Sequence, residues 1–380
     1  MHRFSVLNPR GILAPNPLRS QVCTQAAFRL NADKQVPSHI SWNIFRSLTS
    51  YSPLDVTIFP SSNRLSGRIC MVTGGSSGIG FAIAERFLQE GADRIILVGR
   101  SYKRLVKAAK QLKSSEPVPD QRLADAESEP VATRAPKEDR TVEINEDEFR
   151  PGTLIDSSNR ISLLVGDVSE AKAWIRELET VMRTVDILVN AAGISSSSVL
   201  ANTDPDSISQ ILRTNLEGSI LTSRALIRAS IRNRVKQSSR SRASTSIPTG
   251  AESVNEMVAI PAKCIINISS LLALKGGTGA VSYAASKAGI LGLTRSLCVE
   301  LSRTKKMQDQ FIRLNAIVPG YIETQMIADF TENENDKLKD DIPLGRFGRP
   351  SEVADAAVFL AQNEYANNCV INLDGGLSAL

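Results

Sequence analysis

The chain has 380 residues, a hydrophobic content of 42%, a charged content of 22% and a formal net charge of +5. These values are ordinary for a globular protein, and the mild positive charge does not by itself argue for nucleic-acid binding. The five cysteines are scattered without a CxxC pair, which argues against a structural zinc site and a disulfide framework. No apolar run is as long as a membrane-spanning helix.

Histidine is almost missing from the chain. The only two, His2 and His39, precede the first apolar strand. We therefore expect no Ser–His pair, no histidine acid–base catalyst and no metal site in the folded core. If the protein is an enzyme, its proton chemistry has to come from other side chains, and tyrosine and lysine are the candidates.

The first stretch of the chain is basic. It contains no acid before Asp33 and several arginines, namely Arg3, Arg10, Arg19 and Arg29. Arginine-rich, acid-poor starts with hydroxyl residues are typical of mitochondrial transit peptides, although three prolines weaken an amphipathic helix. We expect a leader or disordered segment over residues 1–60 and a location in the mitochondrial matrix. The alternative is a disordered basic tail on a cytoplasmic protein.

From residue 67 onward, apolar strands alternate with helical stretches. The predicted strands are 68–74, 94–100, 160–167, 185–190, 263–269, 312–318 and 368–374. Strands that are apolar on both faces and alternate with helices indicate a parallel sheet covered on both sides. We predict a single doubly wound α/β domain over 67–380 with a seven-stranded parallel sheet.

Two segments interrupt this alternation. Residues 114–158 are acidic and proline-rich, and residues 232–262 begin with serine and arginine and have no acid until Glu252. We interpret both as charged, mobile insertions between core elements. Their opposite charges could attract each other, but we favour two independent solvated loops. The basic one lacks the interleaved aromatic residues typical of an RNA-binding surface.

The segment TGGSSGIG, residues 73–80, lies directly after a predicted strand and directly before a predicted helix. Gly74 permits a tight turn, Gly78 lets the backbone approach a pyrophosphate, and Gly80 lets the helix pack closely. The free N–H groups at the helix N-terminus favour phosphate binding. This context predicts a dinucleotide site, and a purely structural turn is the alternative.

The end of the second strand indicates which dinucleotide is bound. Sites for NAD usually have Asp or Glu there, whereas this chain has Arg100. An arginine cannot accept a hydrogen bond from the ribose 2′-hydroxyl, but it can pair with a 2′-phosphate. The sequence thus favours NADP(H), unless Arg100 is an ordinary surface residue. Asp167, at the end of the third strand, is a candidate for the adenine amino group or for a loop cap.

Tyr283 and Lys287 are one helical turn apart in the segment GAVSYAASKAG. Side chains with this spacing share a helix face. We expect the Lys287 ammonium to lower the pKa of Tyr283 and to make the phenol a usable acid or base. A half-buried tyrosine beside a surface lysine is the alternative.

Together with these motifs, the remaining landmarks resemble the short-chain dehydrogenase/reductase family. NAAG (190–193) is similar to the family's NNAG, with Ala191 as a departure. Asn215 in TNLEG, Ser270 after INIS and the segment VPGYIET (318–324) follow in the family's order. The resemblance covers residues 67–380 apart from the insertions. It implies a Rossmann-type domain and a homotetramer formed through the helices that carry the Asn and Tyr motifs.

The resemblance also implies roles for individual residues. Tyr283 would donate a proton to a carbonyl oxygen that Ser270 holds. Lys287 would bind the nicotinamide ribose, and Asn215 would hold a water that relays protons. The implied cofactor-binding positions are Thr73, Gly74, Ser76, Ser77, Gly78, Ile79, Gly80, Arg100, Asp167, Val168, Asn190, Ala191, Gly193, Tyr283, Lys287, Pro319, Gly320, Ile322 and Thr324.

The C-terminal third resembles the 3-oxoacyl-[acyl-carrier-protein] reductases within this family. This implies reduction of a 3-oxoacyl thioester to the (3R)-3-hydroxyacyl thioester with NADPH, in mitochondrial fatty acid biosynthesis. Acyl carrier protein is acidic, so Arg303, Lys305 and Lys306 are candidate docking residues. The alternatives are an NADP-dependent dehydrogenase for a sugar, steroid or small carbonyl compound, and a catalytically idle scaffold subunit. The four catalytic positions, all occupied, argue against the scaffold.

Overall fold

The structure is a computed structural model, and it describes residues 62–114, 149–243, 262–303, 312–327 and 331–379. The predicted leader, most of both insertions, and Lys305 and Lys306 lie outside these ranges. Within them, no helix has the length and apolar character needed to cross a bilayer.

Eight strands form one sheet in the described residues. They are β1 (Ile69–Thr73), β2 (Arg94–Gly99), β3 (Thr153–Asp156), β4 (Ile161–Val165), β5 (Ile187–Asn190), β6 (Lys263–Ile268), β7 (Ile312–Pro319) and β8 (Val370–Leu373). Their spatial order is β3-β4-β2-β1-β5-β6-β7-β8. All pairings are parallel except that of β3 with β4, which is antiparallel.

The helices alternate with the strands. They are α1 (Gly78–Gln89), α2 (Tyr102–Ser114), α3 (Ile175–Val181), α4 (Pro205–Leu212), α5 (Gly218–Ala243), α6 (Val281–Arg303), α7 (Glu332–Asp341) and α8 (Pro350–Gln362). A π-helical turn, Arg213–Glu217, joins α4 to α5.

The strands are buried because helices cover both faces of the sheet. On one face, Phe87 of α1, Leu112 of α2 and Val358 of α8 pack in a single apolar cluster with the strands. On the other face, Leu178 of α3 and Leu226 of α5 pack in a second cluster. This two-sided burial explains why the central strands read as nearly continuous apolar runs. The doubly wound α/β prediction is confirmed.

The prediction of seven parallel strands was incomplete. The additional strand β3 lies within the segment 114–158, which we had interpreted wholly as an insertion. It pairs with β4 from Thr153 opposite Val165 to Asp156 opposite Ser162. Asp156 also accepts a hydrogen bond from Ser162 Oγ at 2.6 Å. The last residues of the first insertion are therefore part of the sheet.

The predicted start of the second insertion, residue 232, also lies too early in the chain. Helix α5 continues through Ala243, so residues 232–243 are helical rather than loop. Arg232 forms an ion pair with the buried carboxylate of Glu179 on α3 at 2.5 Å, and Asn233 Nδ2 donates to the carbonyl of Arg183 at 2.8 Å. These contacts fix the helix beyond its apolar part.

Candidate active site

The parallel strands end at one edge of the sheet, and the predicted site residues follow their carboxyl ends. The order reverses at β1, whose neighbours are β2 and β5. The glycine-rich turn follows β1, and the segment Ala191–Gly193 follows β5. Ligands of open α/β sheets bind at such a reversal of strand order. The fold therefore brings most of the predicted positions to one edge.

The glycine-rich turn is fixed against the segment after β5. Thr73 Oγ1 accepts hydrogen bonds from the N–H groups of Ala191 at 3.1 Å and Ala192 at 3.2 Å. Gly74 has a φ of +66°, and a Cβ on it would lie 2.8 Å from Cα of Ala192. No side chain fits at Gly74. The two hydrogen bonds that Thr73 Oγ1 accepts give this hydroxyl a structural role.

The geometry of this turn fits a dinucleotide. Ser77 is the N-cap of α1, but its hydroxyl does not cap the helix, and the first turn of α1 contains no acid. The N-terminal amides of α1 are thus available to an anionic group. A Cβ on Gly78 would lie 3.3 Å from Cγ2 of Thr324, so the turn faces the loop after β7. Ser76, Ile79 and Gly80 belong to the same turn and the start of α1.

Two predicted cofactor positions have side chains that serve the core instead. Asn190 Nδ2 donates to Asn267 Oδ1 at 2.8 Å, and Asn190 Oδ1 accepts from Thr222 Oγ1 at 2.7 Å. Ile322 is buried, and its backbone forms a bridge with Gly348. Only the backbone groups of Asn190 and Ile322 remain for a ligand. The sequence did not reveal this buried amide network.

The adenosine end of the predicted site is basic. Arg100 is exposed directly after β2. Asp167 Oδ1 accepts from Ser169 N at 2.9 Å, so this carboxylate caps the short helical turn that begins at the buried Val168. Arg104, which the sequence analysis missed, donates from Nη2 to Ser77 Oγ at 3.0 Å. Its only sequence signal is a position one helical turn after Arg100.

Lys287 is buried beneath this edge. Its Nζ donates to the carbonyl oxygen of Ile268 at 2.9 Å and lies 5.7 Å from the centroid of the Tyr283 ring. Ser269 Oγ donates to the Lys287 carbonyl at 2.8 Å and fixes this turn of α6 against β6. Burial disfavours the ammonium form and lowers the pKa of Lys287 to about 8.

Tyr283 is paired with Ser270, as the spacing of the motifs implies. Burial raises the pKa of Tyr283 above its usual value, and the hydrogen bond with Ser270 acts in the opposite direction. The expectation that Lys287 lowers the pKa of this phenol is therefore wrong for this structure. The reason is that Tyr283 is itself buried, and burial disfavours the charged phenolate. The phenol is thus kept protonated, as a proton donor requires.

Asn215 lies within the π-helical turn and is fully buried. Its Oδ1 accepts from Ile194 N at 2.9 Å, and its Nδ2 donates to Ile194 O at 2.9 Å and to Ser286 Oγ at 3.0 Å. A Cβ on Gly193 would lie 3.3 Å from Lys287 Nζ and 3.5 Å from Asn215 Oδ1. The missing side chain of Gly193 thus leaves room between these two polar atoms, and an amide oxygen can accept a second hydrogen bond there.

The loop after β7 completes the edge. Gly320 N donates to the carbonyl of Leu373 at 2.8 Å, which places Pro319–Gly320 beside the end of β8. Tyr321, Phe347 and Ile342 pack with Leu271, the residue after Ser270. This cluster ties the segment containing α7 to the strand end that carries Ser270.

Comparison with known proteins agrees with this geometry. Residues 69–247 match the family described as the KR domain, and residues 241–378 match the family described as enoyl-(acyl carrier protein) reductase. The chain is 31% identical over 310 residues to a 3-oxoacyl-[acyl-carrier-protein] reductase of Bos taurus, covering 82% of this chain and 98% of the relative. It is 29% identical over 316 residues to a protein of the same name from Aquifex aeolicus, covering 83% and 98%.

A solved structure has the same fold. It is a protein of Beutenbergia cavernae assigned as an NAD(P)-dependent gluconate 5-dehydrogenase, with NADP bound at low occupancy. The TM-score is 0.60 at 24% identity, and the match covers 84% of this chain and 100% of the other. The family match and the relatives above show that the protein is an oxidoreductase that acts on CH–OH or carbonyl groups. The arrangement of Asn215, Ser270, Tyr283 and Lys287 agrees with this activity. The chain belongs to the short-chain dehydrogenase/reductase family.

Proposed function

We propose that the protein reduces a 3-oxoacyl-[acyl-carrier-protein] thioester to the (3R)-3-hydroxyacyl thioester with NADPH, in fatty acid biosynthesis. The observation that carries this proposal is the hydrogen-bonded pair of Tyr283 and Ser270 above the buried Lys287, in a chain whose curated relatives are named for this reaction. The exposed Arg100 supports NADPH as the cofactor, since no acid stands at the end of β2.

The chemistry follows from the side chains. A bound reduced nicotinamide supplies the hydride to the carbonyl carbon. Ser270 donates a hydrogen bond to the carbonyl oxygen and stabilises its growing negative charge. Tyr283 transfers its phenolic proton to that oxygen. Lys287 binds the nicotinamide ribose, and the space at Gly193 allows a water between Lys287 and Asn215 to return the proton.

The surroundings of the catalytic pair favour an acyl chain over a polyol. Val199, Leu200 and Leu274 are exposed apolar residues on loops beside the site. Ser198 N donates to the carbonyl of Gly279 at 3.0 Å, which joins the first of these loops to the start of the Tyr283 helix. An apolar chain would cover these side chains and gain about 25 cal/mol for each Å² removed from water. A sugar acid would gain little from them.

The test is a spectrophotometric assay of the full-length protein with acetoacetyl thioesters, using NADPH and NADH in parallel. We expect turnover with NADPH, weak turnover with NADH, and a loss of about 10²–10⁴-fold in kcat for Tyr283→Phe, since the variant lacks the proton donor. The variant should still bind NADPH. If the protein binds NADPH but reduces no thioester, the acyl-thioester substrate is excluded. A panel of sugars, steroids and small ketones would then test the alternative dehydrogenase, and a protein idle towards all of them would be a scaffold.

The proposal includes an acidic partner, acyl carrier protein, and a homotetramer. Arg303 is exposed at the end of α6 and is our candidate docking residue, while Lys305 and Lys306 lie outside the described residues. We also propose a mitochondrial matrix location, which the arginine-rich segment 1–60 supports. Import of the full-length chain into isolated mitochondria, with shortening of the product, would test it. A chain that remains outside would indicate a cytoplasmic protein with a basic tail.

A further inference from the structure

The hydroxyl of Ser286 contacts two residues of the catalytic set at once. Ser286 lies on α6 between Tyr283 and Lys287, and its side chain is fully buried. Its Oγ donates to the carbonyl oxygen of Tyr283 at 2.7 Å and accepts from Asn215 Nδ2 at 3.0 Å. Because Asn215 belongs to the π-helical turn before α5, this hydroxyl joins the two helical segments that carry the catalytic side chains.

The directions of these two hydrogen bonds are determined by the groups at their ends. A carbonyl oxygen can only accept, so the single O–H of Ser286 is directed at Tyr283. The Ser286 oxygen then has only lone pairs left and needs a donor on its other side. The amide of Asn215 supplies that donor with Nδ2. The amide oxygen of Asn215 is therefore directed away from Ser286.

The amide oxygen of Asn215 faces the loop after β5. Oδ1 accepts from Ile194 N at 2.9 Å, and Nδ2 donates to Ile194 O at 2.9 Å. A Cβ on Gly193 would lie 3.5 Å from Asn215 Oδ1 and 3.3 Å from Lys287 Nζ, so these two atoms flank the same small space. Both N–H groups of the amide are thus used, and Oδ1 keeps one acceptor site. A reversed amide would place a donor opposite the donor Nζ of Lys287.

The contacts with Ile194 do not connect Asn215 to the catalytic helix, because Ile194 lies on the loop after β5. Within the described ranges, the hydrogen bond to Ser286 is the one that joins the Asn215 side chain to α6. Without the Ser286 hydroxyl, one N–H of the fully buried Asn215 would have no acceptor, and an unpaired buried donor is unfavourable. The amide would then move to find another partner.

We propose that Ser286 is a positioning residue for the return of the proton: it holds the Asn215 amide against α6, so that Oδ1 and not Nδ2 faces Lys287. Its effect on the reaction passes through Asn215. The inference goes beyond the proposed function, because it holds for any carbonyl substrate. It rests on that function only in requiring that Asn215 takes part in returning the proton.

A double-mutant cycle in the full-length protein separates this role from a structural one. kcat and KM are measured with NADPH and an acetoacetyl thioester, or with whichever ketone of the panel above is reduced. We expect Asn215→Ala to lower kcat by about 10²-fold. Ser286→Ala should lower it by about 10-fold, since one hydrogen bond to the amide is lost, and should leave both KM values within about 2-fold. In the Asn215→Ala background, Ser286→Ala should change kcat by less than about 2-fold.

Ser230→Ala is the matched control. Ser230 is buried farther along α5, and its Oγ donates to the carbonyl of Leu226 at 2.8 Å, so this change also removes a buried hydroxyl that bonds to a helix carbonyl. Its kcat should equal that of the wild-type protein. Ser286→Thr keeps a hydroxyl that can bond to a helix carbonyl, and it should retain most of the activity. Urea unfolding of every variant shows whether the fold is retained.

The outcomes are distinct. Equal losses of kcat from Ser286→Ala in the two backgrounds would overturn the inference, because the hydroxyl would then act on Tyr283 or on the helix as a whole. An unchanged kcat in the single variant would also overturn it and would leave the proposed function standing. Reduction of a ketone but of no thioester, with the expected cycle, would support the inference and overturn only the acyl substrate. A wild-type protein that reduces no carbonyl compound would overturn both.

Discussion

Lys287 shows how burial changes the chemistry of a single residue. Its side chain is 4% exposed, and Nζ donates to a backbone carbonyl, that of Ile268. Burial lowers its pKa to about 8, whereas the unfolded chain has the ordinary value near 10.4. Between these two values the unfolded state binds more protons, so stability rises with pH. Below about pH 8, both states are protonated and the cost of burying the charge is constant.

Lys287→Met should remove this dependence. Between pH 7 and pH 9.5 we expect the free energy of unfolding of the wild-type protein to increase by about 2 kcal/mol relative to that of the variant. Urea unfolding of both proteins at the two pH values measures the difference. The comparison cancels titrations elsewhere in the chain. Parallel pH profiles for the two proteins would show that Lys287 keeps its ordinary pKa in the fold.

At the scale of elements, a buried arginine joins the sheet to a helix. Arg313 on β7 donates from Nη1 to the carbonyls of Leu360 and Ala366 at 2.7 and 2.9 Å, and from Nη2 to that of Ala361 at 2.7 Å. These carbonyls lie at or after the last turn of α8, where a helix carries partial negative charge. The guanidinium thus satisfies acceptors that burial would otherwise leave unpaired.

Arg313→Met should therefore be destabilising by about 3 kcal/mol, since a side chain of similar length leaves three carbonyls without a donor. Arg313→Lys is the control, because it keeps the charge but loses the planar fork, and it should lose less. Chemical denaturation of both variants measures the difference. Equal losses would mean that the charge at the helix end contributes nothing.

How well the sequence predicted each element depended on how locally that element is determined. The seven parallel strands are apolar on both faces, so their composition alone revealed them. Strand β3 has only four residues inside an acidic, proline-rich stretch, and it depends on pairing with β4 and on the contact of Arg94 with Asp156 at 3.5 Å. Just beyond Ile231, helix α5 is held by Arg232, which pairs with Glu179 on α3, and by Asn233, which donates to the carbonyl of Arg183. Both depend on partners distant in sequence.

The same distinction applies to the site. Residues in motifs with fixed spacing, such as Tyr283 and Lys287, were identified from the sequence and lie together. The contact of Arg104 with Ser77 joins the first turn of α2 to the glycine-rich turn and leaves no periodic signal in the sequence. The direction of the Tyr283 pKa shift depends on the balance between burial and the nearby charge, and spacing does not reveal burial.

At the scale of the whole molecule, exposed apolar side chains occur on two sets of elements, which we take as two candidate surfaces. One includes Ile220 on α5 and Val299 on α6, and the other includes Phe359 on α8 and Val370 on β8. A tetramer with three perpendicular two-fold axes can be built from two different self-complementary interfaces. These two surfaces are our candidates for them.

For the proposed tetramer, we expect Ile220→Glu and Phe359→Glu each to give a dimer, and the double variant to be a monomer, because a carboxylate would be buried at each contact. Sedimentation velocity distinguishes the three masses. Leu154→Glu is the control, because this exposed leucine lies on β3, away from both surfaces. A monomeric wild-type protein would exclude the tetramer.

The antiparallel strand β3 also limits how copies of the protein can grow into larger assemblies. A sheet with two open edges can add copies at both ends and polymerise. Here one edge ends in a four-residue strand that reverses direction and terminates at Asp156, which is paired with Arg94. The β8 edge lies beside the exposed side chains of Phe359 and Val370. In the proposed tetramer, pairing across β8 about a two-fold axis would join two copies and leave no further open edge there, which would favour a closed particle over a fibre.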